Sequence, residues 1–117
     1  MSRSVADRLR DVVQSAELAA RHMGDLDAAA LAVAAGPRDA ALFRLAVAWE
    51  AASQLPIVVQ GLAPEVEWLK IRNMRNLIVH SYWQIDFAIV VDTITADLPR
   101  LKAEVLRLLA LVERNET

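Results

Sequence analysis

Between Arg72 and Tyr82 the chain gathers the residue types that together can break a phosphodiester: Arg72, Arg75, Asn76, His80 and Tyr82. A guanidinium is a rigid fork of donors suited to phosphate and to charge developing on phosphorus. A histidine titrates near neutral pH and can move protons at working pH. An adjacent amide can fix the ring tautomer or hold a substrate. Arginine with histidine, without a cluster of metal ligands, is what metal-independent RNA cleavage requires. A base removes the 2′-hydroxyl proton, the freed oxygen attacks the neighbouring phosphorus, and the cation stabilises the oxyanion. That reaction needs an acid as well as a base, and each chain supplies one histidine here. A two-fold dimer, the commonest kind of oligomer, would bring two copies together and supply both.

Taken alone, the same residues also fit plainer roles. An arginine and a histidine on an exposed helix face are what an ordinary solvated surface shows. Tyr82 equally fits a core or interface tyrosine. His22, in the last turn of the first predicted helix, is read as a residue meeting the helix dipole. Trp49, Trp68 and Trp83 are read as core or dimer-face residues rather than a base-stacking platform. Glu50 is either an ion-pair partner for Arg72 or Arg75, or simply exposed.

The elements that must position these groups are helices. Glycine and proline are sparse, and no stretch alternates with the period of two of a half-buried strand. The first helix is predicted from Ser4 to about Met23, with Ser4 as N-cap, Asp7 three residues on, and Gly24 as the stop. Its stripe is Leu9, Val12, Val13, Ala16, Ala20 and Met23. An alanine-rich segment from Asp27 to Ala35 should end at Gly36, and Pro37 suits the first turn of a helix running to about Leu55. Pro56 and Gly61 mark a looser connection. Pro64 is expected to open the helix of interest, which runs to about Tyr82.

At ~100° per residue, Ile71, Met74, Leu77 and Ile78 form one stripe of that helix, and Arg72, Arg75, Asn76 and His80 gather on the other side. Asn76 and His80 are then neighbours one turn apart. Arg75 and Tyr82, seven apart, fall nearly on one line. Asp86 can cap the next helix, where Phe87, Val90, Val91, Ile94 and Leu98 keep the helical period. Pro99 should kink or restart it, and Leu98, Leu101, Val105, Leu108 and Val112 form a heptad-like seam. The expectation is an all-α, up-and-down helical bundle forming one domain over residues 1–117, with apolar surface to spare for a homodimer.

Bulk properties bound the partners. The 117 residues carry 13 basic and 15 acidic side chains, for a net charge of -2. No general basic surface is available for nucleic acid, so any RNA contact must come from a local cluster. The absence of cysteine excludes a disulfide framework and suits a cytoplasmic location. Asp7, Arg8, Arg10 and Asp11 interrupt any signal-peptide core, and no apolar run approaches the ~18–20 residues of a membrane span. No metal site and no cofactor are expected.

The stretch Ile71-Arg72-Asn73-Met74-Arg75-Asn76-Leu77-Ile78-Val79-His80-Ser81-Tyr82 resembles the signature of HEPN-domain toxins of the HepT type. That signature is an arginine, four residues, a histidine, one residue and a tyrosine, with a polar residue just after the arginine. Arg75, His80, Tyr82 and Asn76 occupy those positions. The flanks are similar too. Trp68 precedes the motif, Ile85-Asp86 follows it, and Val91-Asp92-Thr93-Ile94 and Asp97-Leu98-Pro99-Arg100-Leu101 continue the likeness. Upstream, Glu50-Ala51-Ala52 resembles the family's Gly-Glu-Ala segment, with Trp49 in place of the glycine. The likeness runs from about Leu42 to the C-terminus.

The resemblance implies a HEPN-like helical homodimer whose Arg–His motifs face one another in a cleft. It implies a ribonuclease acting as the toxin of a bacterial toxin–antitoxin pair. The partner would be a small nucleotidyltransferase antitoxin of the MNT type. Carried over by position, Arg75 and His80 are catalytic, Asn76 and Arg72 support them, and Tyr82 is the hydroxyl that receives AMP. An AMP group there would repel RNA phosphate and block access. The alternative is a catalytically inactive HEPN module that binds nucleotide or a nucleotidyltransferase.

Overall fold

The computed structural model describes residues 3–116, and every regular element among them is helical. Met1, Ser2 and Thr117, which the one-domain expectation includes, lie outside the described residues. Helix α1 is Val5–Met23. The Ser4 hydroxyl accepts a hydrogen bond from the Asp7 backbone N–H at 3.0 Å, filling one of the donors a helix start leaves open. The helix stops at Gly24, whose φ of 56° and ψ of -134° a side chain would strain. Its buried face is Leu9, Val12, Ala16, Ala19 and Met23, whereas Ala20 turns to solvent.

Helix α2, Ala28–Val33, is capped by the Asp27 carboxylate on the Ala30 N–H. The break before α3, Ala35–Ser53, falls at Ala34 rather than at Gly36. Gly36 and Pro37 lie inside the first turn of α3. Proline is tolerated there because the first helical N–H groups have no intrahelical acceptor. A single turn, α4 (Ile57–Gln60), fills the connection between Pro56 and Gly61.

Helix α5 is Trp68–His80, shorter at both ends than the sequence suggests. At its start, residues 64–67 form a turn. The Trp68 indole N–H donates to the carbonyls of Gln60 and Ala63, both at 3.1 Å, and pins that corner. At its end, Ser81 leaves the helical region (φ -142°, ψ 42°), and a 3₁₀ turn, Tyr82–Gln84, carries the chain to Ile85, which packs on the core. Asp86 caps α6, Phe87–Asp92, through the Ala88 N–H. A π turn, Thr93–Asp97, then joins α6 to α7, Leu98–Glu116. Pro99 has no N–H and crowds the carbonyl four residues back, and the widened turn accommodates both. Within it, the Thr93 and Thr95 hydroxyls donate to the Ile89 and Val91 carbonyls at 2.7 and 2.8 Å.

The four long helices run up and down. Arg10 pairs with Glu113 at 3.2 Å and Glu17 with Lys102 at 2.8 Å, so α1 and α7 are antiparallel. Lys102 holds the Glu17 carboxyl below its usual pKa range through its hydrogen bond and charge. The start of α1 meets the later part of α3, so these two helices are antiparallel, and the later part of α5 lies along the same stretch of α3. The core contains Leu9, Val12, Leu31, Leu45, Val105 and Leu108. Buried alanines on α1 (Ala16, Ala19) and α3 (Ala41, Ala48, Ala52) leave little side chain between the two helices. Leu98, Leu101, Val105 and Leu108 all face this core, so the heptad-like seam of α7 is spent within the chain. Among the described residues no helix is long and apolar enough to cross a membrane.

The cap gives a direct check on α1. Ser4→Ala should lower stability by about 1 kcal/mol, read as a reduced urea midpoint with an unchanged slope. An unchanged midpoint would mean that the first turn does not depend on the Ser4 hydroxyl.

Candidate active site

Helix α5 carries most of the candidate residues and lies against α3 through Ile71, which is buried, and through Met74 and Ile78, which are half-buried. That packing fixes the direction of the polar side. Arg75 points at α3, where its Nε lies 2.6 Å from the Glu50 carboxylate. Of the two sequence readings of Glu50, the ion pair with Arg75 is therefore the one realised. Nη1 of the same guanidinium donates to the Asn76 side-chain oxygen at 3.0 Å. Glu50 and Asn76 thus hold the fork from two sides, and Nη2 has no partner among the described residues.

His80 is the last residue of α5 and is exposed. Asn76 is one turn below it, but no hydrogen bond joins them; the Asn76 oxygen accepts from Arg75 instead. Arg75 and His80 lie five residues apart on one helix, which turns them ~140° away from each other and separates them by ~7.5 Å along the axis. One chain therefore presents the two groups in different directions. Arg72 is exposed on the same helix.

Tyr82 does not share a line with Arg75, because the helix ends before it. It sits on the 3₁₀ turn, 69% exposed, with its ring edge-on to Trp83 at 5.6 Å between centroids. Trp83 is 68% exposed and Val79 46%, so exposed apolar side chains flank the exposed histidine along the chain. The other tryptophans are structural: Trp49 is buried and Trp68 is half-buried. Of the basic residues near the motif in sequence, Lys70 turns away, towards Glu67 and Asp97 at 3.8 and 3.9 Å. Arg44 stacks over Phe43. His22 is exposed in the last turn of α1, away from the motif.

Two clefts flank α5. The larger, 440 Å³, lies towards α7 and is lined by Trp49, Lys70, Ile71, Met74, Asp97 and Leu101; neither Arg75 nor His80 reaches it. The smaller, 360 Å³, is lined by Arg3, Arg8 and Asp11 of the N-terminal segment together with Glu50, Arg75 and Val79. The sequence gives no signal for this second grouping. Arg8 and Arg75 meet only because α1 and α5 pack on the same end of α3.

An up-and-down helical bundle with an arginine and a histidine near the end of one long helix is a HEPN-type frame. The model of the family described as Ribonuclease HepT-like matches residues 12–108, and the chain belongs to that family. It is similar to "Probable ribonuclease HepT" of Thermococcus cleftensis, 26% identical over 104 residues, 89% of this chain and 94% of that one. It is also similar to "Gamma-glutamylcyclotransferase and putative RNase" of Methanocaldococcus jannaschii, 22% identical over 116 residues. That match covers 99% of this chain, which spans only about half (52%) of the relative's length. A "Putative RNase" of Caldanaerobacter subterraneus is 29% identical over 65 residues, 56% of this chain and 58% of that one. No solved structure matches the chain.

The Glu50–Arg75 pair is 43% and 29% exposed at its two side chains, so solvent screens it. Its effect is to aim the guanidinium rather than to hold the fold. A double-mutant cycle of Glu50→Gln and Arg75→Gln in urea should give a coupling under about 1 kcal/mol. A coupling of several kcal/mol would contradict this account.

Proposed function

We propose that the protein is a metal-independent endoribonuclease, acting as a homodimer and serving as the toxin of a bacterial toxin–antitoxin pair. Residues 1–117 form one HEPN-like domain in this reading. The observation that carries it is the aimed Arg75 guanidinium on the same helix as an exposed His80, in a chain of the HepT-like ribonuclease family. The relatives' names support the RNA-cleaving part of the reading.

In the proposed reaction His80 of one subunit takes the proton from a ribose 2′-hydroxyl. The oxygen attacks the adjacent phosphorus, a 2′,3′-cyclic phosphate forms, and the 5′-oxygen leaves with a proton from His80 of the partner subunit. The Nη groups of Arg75 bind the phosphoryl oxygens as negative charge builds on them. Asn76 positions Arg75 through its hydrogen bond, and Arg72 adds positive charge along the helix. Two observations favour the dimer. The two groups diverge on a single chain, and Val79, Tyr82 and Trp83 offer an exposed apolar surface beside His80.

The antitoxin is a nucleotidyltransferase of the MNT type, which transfers AMP from ATP to the Tyr82 hydroxyl, the oxygen losing its proton and pyrophosphate leaving. The exposure of Tyr82 on a turn outside the helix supports this assignment. The added phosphate would stand beside the cleft and repel RNA.

The test is growth of a bacterial host on induction, with soluble expression checked for each variant. Wild type should arrest growth, and Arg75→Ala and His80→Ala should not. Tyr82→Phe should still arrest growth and should resist rescue by a co-expressed nucleotidyltransferase. If all variants grow like the uninduced host while folded and dimeric, the toxin reading fails and the non-catalytic module takes its place. If the nucleotidyltransferase rescues Tyr82→Phe as it does wild type, Tyr82 is not its target.

A further inference from the structure

The groove that Arg75 shares with α1 contains a cation for which the catalytic reading has no use. Three arginines and two carboxylates line it, along with an apolar floor that includes Val79. Four of those charges are matched. Arg3 grips Asp11 as a fork, with Nη2 at 2.7 and 2.8 Å from the two carboxylate oxygens and Nε at 3.2 Å. Arg75 faces Glu50 at 2.6 Å. The guanidinium of the remaining arginine, Arg8, has no hydrogen bond or ion pair among the described residues, although the residue is partly buried in the groove wall. A partly desolvated guanidinium without a counter-ion gains strongly from an anion that can accept its donors two at a time.

We propose that Arg8 is an RNA-binding residue: its guanidinium holds a backbone phosphate next to the one that Arg75 engages. This rests on the RNA-cleaving reading above and extends it to a segment outside the motif. The groove gives the strand a direction, running from α5 across the end of α3 to the first turns of α1. It also reconciles an acidic chain with a polyanionic substrate. The carboxylates in the groove are each occupied by an arginine, so the strand meets one unmatched positive charge rather than a balanced surface. Asp11 and Glu50 would at the same time limit how tightly the groove holds RNA, as a turning-over enzyme requires.

Binding can be measured apart from cleavage in the His80→Ala protein, using a short unstructured, dye-labelled RNA and fluorescence anisotropy across a salt series. Each lost phosphate contact on a single strand lowers the salt slope by ~0.7, which is about a fourfold loss of affinity near 0.15 M salt. Arg8→Gln in this background should show both effects, and Arg8→Lys, which keeps the charge, should retain most of the slope. Arg21→Gln removes a charge ~20 Å further along α1 and should change neither. In the cleaving protein Arg8→Gln should raise KM and leave kcat unaltered.

If Arg8→Gln binds like its parent while Arg75→Gln weakens binding, this inference fails and the catalytic reading stands. Equal losses for Arg8→Gln and Arg21→Gln would reduce the effect to general charge and overturn the assignment. If the His80→Ala protein does not bind RNA and the wild type does not cut it, the catalytic reading falls and Arg8 falls with it.

Discussion

How closely α1 can lie against α3 decides how the groups around Arg75 are placed. Alanines on both helices leave little side chain between them and permit a close approach. With α1 held there, its first turns reach the end of α3, the same stretch that carries Glu50. Helix α5 packs on the other flank of α3 and brings Arg75 to that carboxylate. A larger residue in place of Ala48 or Ala52 would push these helices apart and open the groove between Arg8 and Arg75. The setting of Arg75, on one helix in the sequence, thus depends on the spacing of two others.

Electrostatics at this end is a matter of pairing rather than of total charge. The chain carries more acidic than basic residues, yet one of those acids, Glu50, orients the arginine of the motif. Glu50 fixes the direction of Arg75 and leaves its Nη2 open. Such a screened pair adds little to stability. Its value lies in keeping a long side chain in one geometry, because entropy lost beforehand is not lost again when substrate binds.

Much of the fold could be read from local rules, because those rules act over four or five residues. Ser4, Asp27 and Asp86 cap helices through their own side chains, and the apolar period of α7 names its buried residues one by one. The family motif was legible for the same reason, being contiguous. What escaped the sequence depends on contacts across the chain. The α2–α3 break moved to Ala34 because Gly36 and Pro37 both fit a helical first turn. Helix α5 began late because Trp68 anchors a corner to carbonyls of Gln60 and Ala63. Tyr82 left the helix because the chain turns towards Ile85, and with it went the alignment with Arg75. Lys70 and Arg44 sit near the motif in sequence but face elsewhere, whereas Arg8, sixty-seven positions before Arg75 by their numbers, shares its groove. No spacing rule carries that information.

The central claim is that Arg75 and His80 break RNA through its own 2′-hydroxyl. The most direct test is the end chemistry of the products when purified protein is incubated with a defined RNA in excess chelator. The account predicts fragments ending in 2′,3′-cyclic phosphate and 5′-hydroxyl, no cutting of a strand with 2′-deoxyribose at the cleavage site, and no products from His80→Ala. Fragments ending in 3′-hydroxyl, or cleavage that persists in folded His80→Ala, would contradict it.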